Sequence, residues 1–190
     1  GSSRGIGRAI GLALAANGAK VIFHGVKPSR ELASAVAEAG GGAQSVTADL
    51  GNIEEVKNLL AGLGDIDILV LNSSVQSYMG IANFAAEEFT RQMVTNVESA
   101  FLLLQALAPK MAERNWGRII GVSSINQLRP APRLALYGAT KGALANLIKS
   151  AAKEYAPFGV TANTIVPGVI TTDRNAEVLK NEEFAANLKA

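Results

Sequence analysis

At 190 residues, 48% hydrophobic and 18% charged, the chain is long enough to bury a sizeable core and has the composition of an ordinary globular domain. A net charge of +2 with scattered basic residues gives no reason to expect a nucleic-acid partner, and no apolar run reaches the ~18–20 residues that cross a bilayer. Zero cysteines exclude disulfides and thiol chemistry, and the single histidine, His24, cannot build a histidine-rich metal centre, so no metal is expected.

The glycine-rich start runs straight into an amphipathic stretch that predicts a helix over Gly5–Asn17, closed by Gly18. A strand is predicted at Lys20–His24, then a helix over Ser29–Ala39 with Ser29 as N-cap, ending in three glycines. Ala43–Thr47 reads as a strand, Ile53–Leu63 as a helix, and the apolar Ile66–Leu71 as a strand buried on both faces. A long helix is predicted over Ala86–Arg114. Its residues Phe89, Met93, Val97, Phe101, Leu104, Ala108 and Met111 keep helical spacing, and Pro109 is a candidate bend. A strand at Arg118–Val122, a helix over Leu134–Ala156, a strand at Val160–Val166 and a helical piece over Ala176–Lys189 complete the series.

Strands alternating with helices of this length predict an α/β architecture, a parallel sheet covered on both faces. No repeat, low-complexity run or linker interrupts it, so one domain spanning 1–190 is expected. No signal peptide is visible, and a cytoplasmic protein is expected. Ligands of such sheets bind at the carboxyl ends of the strands. Asn72, Ser124 and the pair Pro167-Gly168 each follow a predicted strand there.

Tyr137 and Lys141 stand four residues apart in a helical pattern and therefore share a face. A neighbouring ammonium favours a phenolate over a phenol, which makes the tyrosine a better proton donor. Ser124, at the end of the preceding strand, is placed to hydrogen-bond the same substrate oxygen. Together they are a candidate site for carbonyl and alcohol chemistry. Alone the pair is weak, because helices often carry a tyrosine over a snorkelling lysine. Tyr78 and Tyr155 have Ala82 and Gly159 at that spacing, so Tyr137 is the tyrosine with the partner.

The chain opens with Gly1-Ser-Ser3-Arg4-Gly5-Ile6-Gly7, and glycines at a helix N-terminus let a pyrophosphate approach backbone N–H groups closely. With the Tyr/Lys pair, this spacing makes essentially the whole chain resemble the short-chain dehydrogenase/reductase family. That resemblance implies a Rossmann-type, doubly wound three-layer sheet. Its cofactor motif is matched by Gly1, Gly5 and Gly7, and Ser3, Arg4 and Ile6 lie within it. The acid after the third strand, which meets the adenine, is matched by Asp49, followed by Leu50. The helix asparagine is matched by Asn96, and the Ser-Tyr-Lys set by Ser124, Tyr137 and Lys141. The Pro-Gly turn at the nicotinamide is matched by Pro167, Gly168, Ile170 and Thr172. The roles implied are Tyr137 as acid/base, Lys141 lowering its proton affinity and binding the nicotinamide ribose, Ser124 on the substrate oxygen, and Asn96 in the proton relay.

Two departures from the family pattern stand out. Where the family reads Asn-Asn-Ala-Gly, this chain reads Leu71-Asn72-Ser73-Ser74, so Asn72 remains as the cofactor contact. The chain also begins inside the cofactor motif and stops before the family's last strand. A fragment lacking the first and last strands is therefore expected. After the family's second strand, which Lys20–His24 matches and where NAD-preferring enzymes carry an acid, the chain reads His24-Gly25-Val26-Lys27, with Arg4 and Arg30 nearby. Positive charge suits a 2′-phosphate, which favours NADP(H) over NAD(H). The substrate is expected to be a small carbonyl or alcohol compound such as a 3-oxoacyl thioester or a sugar or polyol, lined by residues 75–82 and 125–134. The family uses the two long helices as its dimer interface, so a homo-dimer or homo-tetramer is expected. The rival reading is a catalytically silent dinucleotide-binding fragment or regulatory scaffold, for which a broken Ser/Tyr/Lys set would be the usual mark.

Overall fold

A computed structural model of the chain describes residues 1–175 and residue 180; the helix expected over Ala176–Lys189 lies outside them, Lys180 apart. In chain order the elements are α1 (Gly5–Ala16), β1 (Ile22–Gly25), α2 (Arg30–Ala39), β2 (Gln44–Thr47), α3 (Ile53–Gly62), β3 (Ile68–Leu71), α4 (Ala86–Met93), α5 (Ser99–Glu113), β4 (Gly117–Val122), α6 (Ala135–Tyr155) and β5 (Val160–Ile165). Their boundaries follow local chemistry. Gly18, at φ +88°, turns the chain out of α1. The Ser29 hydroxyl accepts from Leu32 N–H to cap α2, and Asn52 accepts from Glu54 N–H to cap α3.

All strand pairings are parallel, as the alternation of strands and helices predicts. β1 pairs with β2, and β3-β4-β5 form a second ladder. Helices α1 and α2 pack together on β1 and β2, whereas α5 and α6 cover β4 and β5, with α3 against α5. The principal core gathers Leu104, Leu107, Met111, Ile119, Leu144, Ile148 and Val160 beneath the three-stranded ladder. A smaller cluster around Phe23, Leu32 and Ala35 serves the two-stranded one.

Between β1 and β3 lies a cavity of about 840 Å³, with Ile10, Leu14, Ile22, Ile68, Val70 and Leu103 in its lining. This changes one expectation. The strand read as buried on both faces is covered at Leu69 and Leu71, while Ile68 and Val70 are half-buried beside the cavity. The two half-sheets are tied at their carboxyl ends, where Ser2 N–H donates to the His24 carbonyl at 2.8 Å and Asn72 Nδ2 donates to the Gly1 carbonyl at 2.6 Å. Ala48, Leu50 and Val56 add an apolar join, packing with Leu102 of α5.

The long helix expected from Ala86 to Arg114 is present but not uniform. α4 and α5 are joined by a π turn over Val94–Glu98, which holds Asn96. Among the described residues no helix is long and apolar enough to cross a membrane.

Ile148 is 1% exposed and seats against Gly121, where a Cβ would come within 2.9 Å of its Cγ1. Ile148→Ala should therefore cost about 2–5 kcal/mol in urea unfolding. A loss near zero would place the core elsewhere.

Candidate active site

Ser124 sits just past β4 because the ladder runs out there. Ser123 N–H still donates to the Ile165 carbonyl at 2.8 Å, and Ile125 N–H donates to the Pro167 carbonyl at 2.9 Å. The loop after β4 is thus sewn to the Pro167-Gly168 turn after β5. Ser124 Oγ accepts from the backbone N–H and side-chain amide of Asn126, each at 3.2 Å. The loop also lies tightly on α6, since a Cβ on Gly138 would stand 2.9 Å from the Asn126 carbonyl oxygen.

Helix α6 presents Tyr137 and Lys141 on its inner face, 7% and 1% exposed. Burying an ammonium is costly unless it is held by polar partners. Lys141 Nζ donates to the Val122 carbonyl at 2.9 Å and lies 5.7 Å from the centre of the Tyr137 ring. Ser123 Oγ, 3.0 Å from the Lys141 carbonyl, fastens the same helix to the strand end.

Asn96 is 1% exposed, and its amide is almost fully used. Oδ1 accepts from Val75 N–H at 2.8 Å, and Nδ2 donates to the Val75 carbonyl at 2.8 Å and to Thr140 Oγ1 at 3.0 Å. Thr140 Oγ1 donates in turn to the Tyr137 carbonyl at 2.8 Å. One lone pair of Oδ1 is left for a further donor. Thr140, which the sequence reading passed over, therefore links Asn96 to the backbone of the tyrosine.

On the other side, Gly5 opens α1 with φ +58°. No side chain caps this helix and no acid stands in its first turn, so its N–H groups and positive end suit an anion. Gly7 cannot carry a side chain, because a Cβ would meet the Gly1 carbonyl oxygen at 2.1 Å and Asn72 Nδ2 at 2.6 Å. Thr172 comes up against Gly5, where a Cβ would lie 3.6 Å from its Cγ2. The glycine turn, Asn72 and the segment after Pro167 therefore meet at one edge, and Asn175 Nδ2 donates to the Ile170 carbonyl at 2.8 Å. Arg4 is exposed, and Ser3 and Ile6 are half-buried. Asp49 follows β2, where its Oδ1 accepts from Gly51 N–H at 2.8 Å, and Leu50 turns inward at 6% exposure. These surroundings fit a dinucleotide phosphate.

His24 adds no charge there. Burial above all pushes it down to about 4, so it is neutral near pH 7. A carboxylate the sequence reading did not place stands close by. Glu31, in the first turn of α2, is held below the ordinary carboxyl value by its own backbone N–H, the Ser29 hydroxyl and the charge of Arg4. Its position after Ser29 was the available signal, since acids favour the first turn of a capped helix.

The sequence reading also missed a polar cluster on α4. Glu88 Oε1 lies 2.6 Å from Ser77 Oγ, 2.8 Å from Arg91 Nη2 and 2.7 Å from Gln92 Nε2. Glu88 Oε2 accepts from Arg91 Nε at 2.7 Å. The signal for the ion pair was the i,i+3 spacing of Glu88 and Arg91.

A parallel sheet wound with helices, a bare glycine-rich helix N-terminus and polar side chains at the strand ends define a Rossmann-type protein. A model of the short chain dehydrogenase family matches residues 1–183, and the chain belongs to that family of oxidoreductases. A 3-oxoacyl-[acyl-carrier-protein] reductase of Synechocystis sp. is 36% identical over 180 residues, spanning 91% of this chain and 73% of that protein. An L-rhamnose 1-dehydrogenase (NAD(P)(+)) of Azotobacter vinelandii is 34% identical, over 96% of this chain and 76% of its own length. The crystal structure of a 3-oxoacyl (acyl-carrier-protein) reductase from Agrobacterium tumefaciens with NADP bound superposes with a TM-score of 0.90. It has 40% identity, over 96% of this chain and 73% of that one.

Arg91 above all, then Ser77 and Gln92, holds the Glu88 carboxyl at about 2, down from its ordinary 4.5. A carboxyl depressed in the folded state stabilises it above the unfolded value, and that stability is lost as pH falls through the folded one. The stability difference between the native sequence and Glu88→Gln should be constant above pH 4.5 and shrink as pH drops toward 2. A difference that stayed unchanged down to about pH 2 would contradict this network.

Proposed function

We propose that the chain interconverts a carbonyl and a secondary alcohol with NADP(H), using Tyr137 as the acid/base. The observation that carries this reading is the burial of Tyr137 and Lys141 side by side on α6, over the strand end that leads into Ser124. When bound, the nicotinamide cofactor supplies or takes up the hydride.

The chain's own residues handle the proton and the charge. In reduction, Tyr137 Oη gives its proton to the carbonyl oxygen as that oxygen becomes negative. In oxidation it takes the proton from the alcohol. Ser124 Oγ, which accepts from Asn126, has its own hydroxyl proton to donate to the same oxygen and fixes its position. Lys141 places positive charge beside the phenol and stabilises Oη as its proton leaves. Asn96 holds the neighbouring loop and helix together, and the remaining Oδ1 lone pair is the side-chain capacity for a relay water that restores the proton.

A bound cofactor would be held by Gly1, Ser3, Arg4, Gly5, Ile6 and Gly7 at its phosphates and by Asp49 and Leu50 at its adenine. Lys141 would meet the nicotinamide ribose. Asn72, Pro167, Gly168, Ile170 and Thr172 would line the nicotinamide end. Arg4, with Lys27 and Arg30 nearby, supports NADP(H) over NAD(H), although Glu31 balances part of that charge. NADP in the Agrobacterium structure supports the same preference, while the Azotobacter relative is named for both cofactors. Both candidate substrate classes, 3-oxoacyl thioesters and sugars or polyols, occur in the names of the relatives. A homo-dimer or homo-tetramer is supported by the apolar surface of α4, α5 and α6, where Phe89 and Phe101 are exposed beside Met93, Val97 and Leu147.

Tyr137→Phe should lower NADPH-dependent carbonyl reduction by about 10²–10⁴-fold while leaving NADPH binding nearly intact. Near-normal turnover in that variant would sink the assignment. Arg4→Ala should raise the KM for NADPH by roughly tenfold and leave that for NADH little changed. An equal effect on both cofactors would remove the 2′-phosphate from the account.

A further inference from the structure

The Glu88 cluster is larger than α4 needs for its own stability. An exposed i,i+3 ion pair by itself contributes little. Here a forked Arg91–Glu88 pair is joined by the Ser77 hydroxyl and by Gln92, which is entirely buried. Arg91 Nη2 also lies 3.2 Å from Ser77 Oγ, so the serine meets both members of the pair. What the cluster adds beyond the helix is a hold on Ser77, eleven residues upstream.

Ser77 belongs to the segment between β3 and α4, whose residues 72–80 have no regular structure. Beyond Asn72, that segment is held at Val75, at Ser77 and at Tyr78–Met79. Asn96 grips both backbone groups of Val75. Glu88 holds Ser77. Met79 N–H donates to the Arg133 carbonyl at 2.9 Å, and Arg133 Nη2 donates to the Tyr78 carbonyl at 3.3 Å. Arg133 lies four residues before Tyr137 and adopts φ +67°, a strained conformation for a non-glycine residue that persists only where its surroundings enforce it.

The segment pinned in this way shows apolar side chains to solvent, as do its neighbours at the same edge. Tyr78, Met79 and Ile81 are exposed on it, Leu128 after β4, and Val169 and Ile170 after β5. Three separate loops at the carboxyl end of a sheet offering large apolar groups resemble the mouth of a site for an apolar ligand more than a surface facing water.

We propose that the site selects carbonyl substrates bearing an apolar chain over polyhydroxylated ones, and that Glu88 is the positioning residue that sets this choice by holding Ser77. The inference rests on the carbonyl-reductase reading above. Glu88 acts through Ser77, not on the reacting atoms.

The test compares three substrates, a medium-chain 3-oxoacyl thioester, a small ketone such as acetoin, and an aldose with its lactone. Each is assayed with the native chain and with Ser77→Ala, Ser77→Thr and Glu88→Gln. The native chain should favour the thioester. Ser77→Ala and Glu88→Gln should each lower kcat/KM for the thioester by about tenfold, through KM, with little change for the small ketone. Ser77→Thr, which keeps the hydroxyl, should restore the native value. Amide hydrogen exchange supplies a readout independent of turnover: Val75 and Met79 should exchange faster in Ser77→Ala while α6 is unchanged. A native preference for the aldose, or an equal loss on thioester and small ketone, overturns the proposal while leaving the oxidoreductase reading in place. Exchange at Val75 and Met79 that does not change in Ser77→Ala overturns the hold on the loop. No oxidation of NADPH with any carbonyl compound overturns the underlying reading, and the proposal with it.

Discussion

The side-chain amide of Asn96 holds together the parts on which the site depends. A buried amide must find partners for its donors and acceptor, and an unmade bond at this depth costs about 1–3 kcal/mol. Asn96 meets that demand with groups that are far apart in sequence, the backbone of Val75 and the hydroxyl of Thr140. Through Thr140 the constraint reaches the Tyr137 carbonyl, and through Val75 it reaches the loop that forms the opposite wall. The π turn at Val94–Glu98 surrounds the residue that makes these bonds. Such turns are rare, and they recur where a helix has to re-aim one side chain at a functional site.

The two halves of the sheet divide the work. β3, β4 and β5, with α5 and α6 over them, carry the principal core and the residues proposed for proton transfer. β1, β2, α1 and α2 carry the positive helix end and the basic residues suited to a phosphate. The halves meet where Gly1, Ser2 and Gly7 crowd against His24 and Asn72, which is also where a bound dinucleotide would have to cross from one to the other. The junction is made by those hydrogen bonds and by the contact of Ala48, Leu50 and Val56 with Leu102. The half built on β3, β4 and β5 is a continuous ladder over the principal core.

Much of this was legible in the sequence because it is periodic or motif-like. The alternation of strands with amphipathic helices predicted the parallel sheet, and the i,i+4 pair of Tyr137 and Lys141 predicted their common face. What escaped the reading depends on partners distant in sequence. The apolar pattern from Phe89 to Met111 runs through Asn96 without a break, so nothing in it marks the π turn. The half-open faces of Ile68 and Val70 depend on what lies beside β3, not on their own apolar character. Thr140 looks like an ordinary helix residue until Asn96 is placed beside it. Glu88 and Arg91 read as a solvated surface pair, and it takes the fold to bring Ser77 onto them.

In the proposed reaction a hydride passes from a nicotinamide to a carbonyl carbon at this edge of the sheet while the chain supplies the proton. The most direct measurement is mass spectrometry of the alcohol formed when the chain is given a 3-oxoacyl thioester and NADPH deuterated at C4 of the nicotinamide, each C4 epimer in turn. The expected product is an alcohol carrying deuterium on its carbinol carbon from one epimer and none from the other. Alcohol formed without deuterium from either epimer, or no alcohol with any carbonyl substrate, would contradict it.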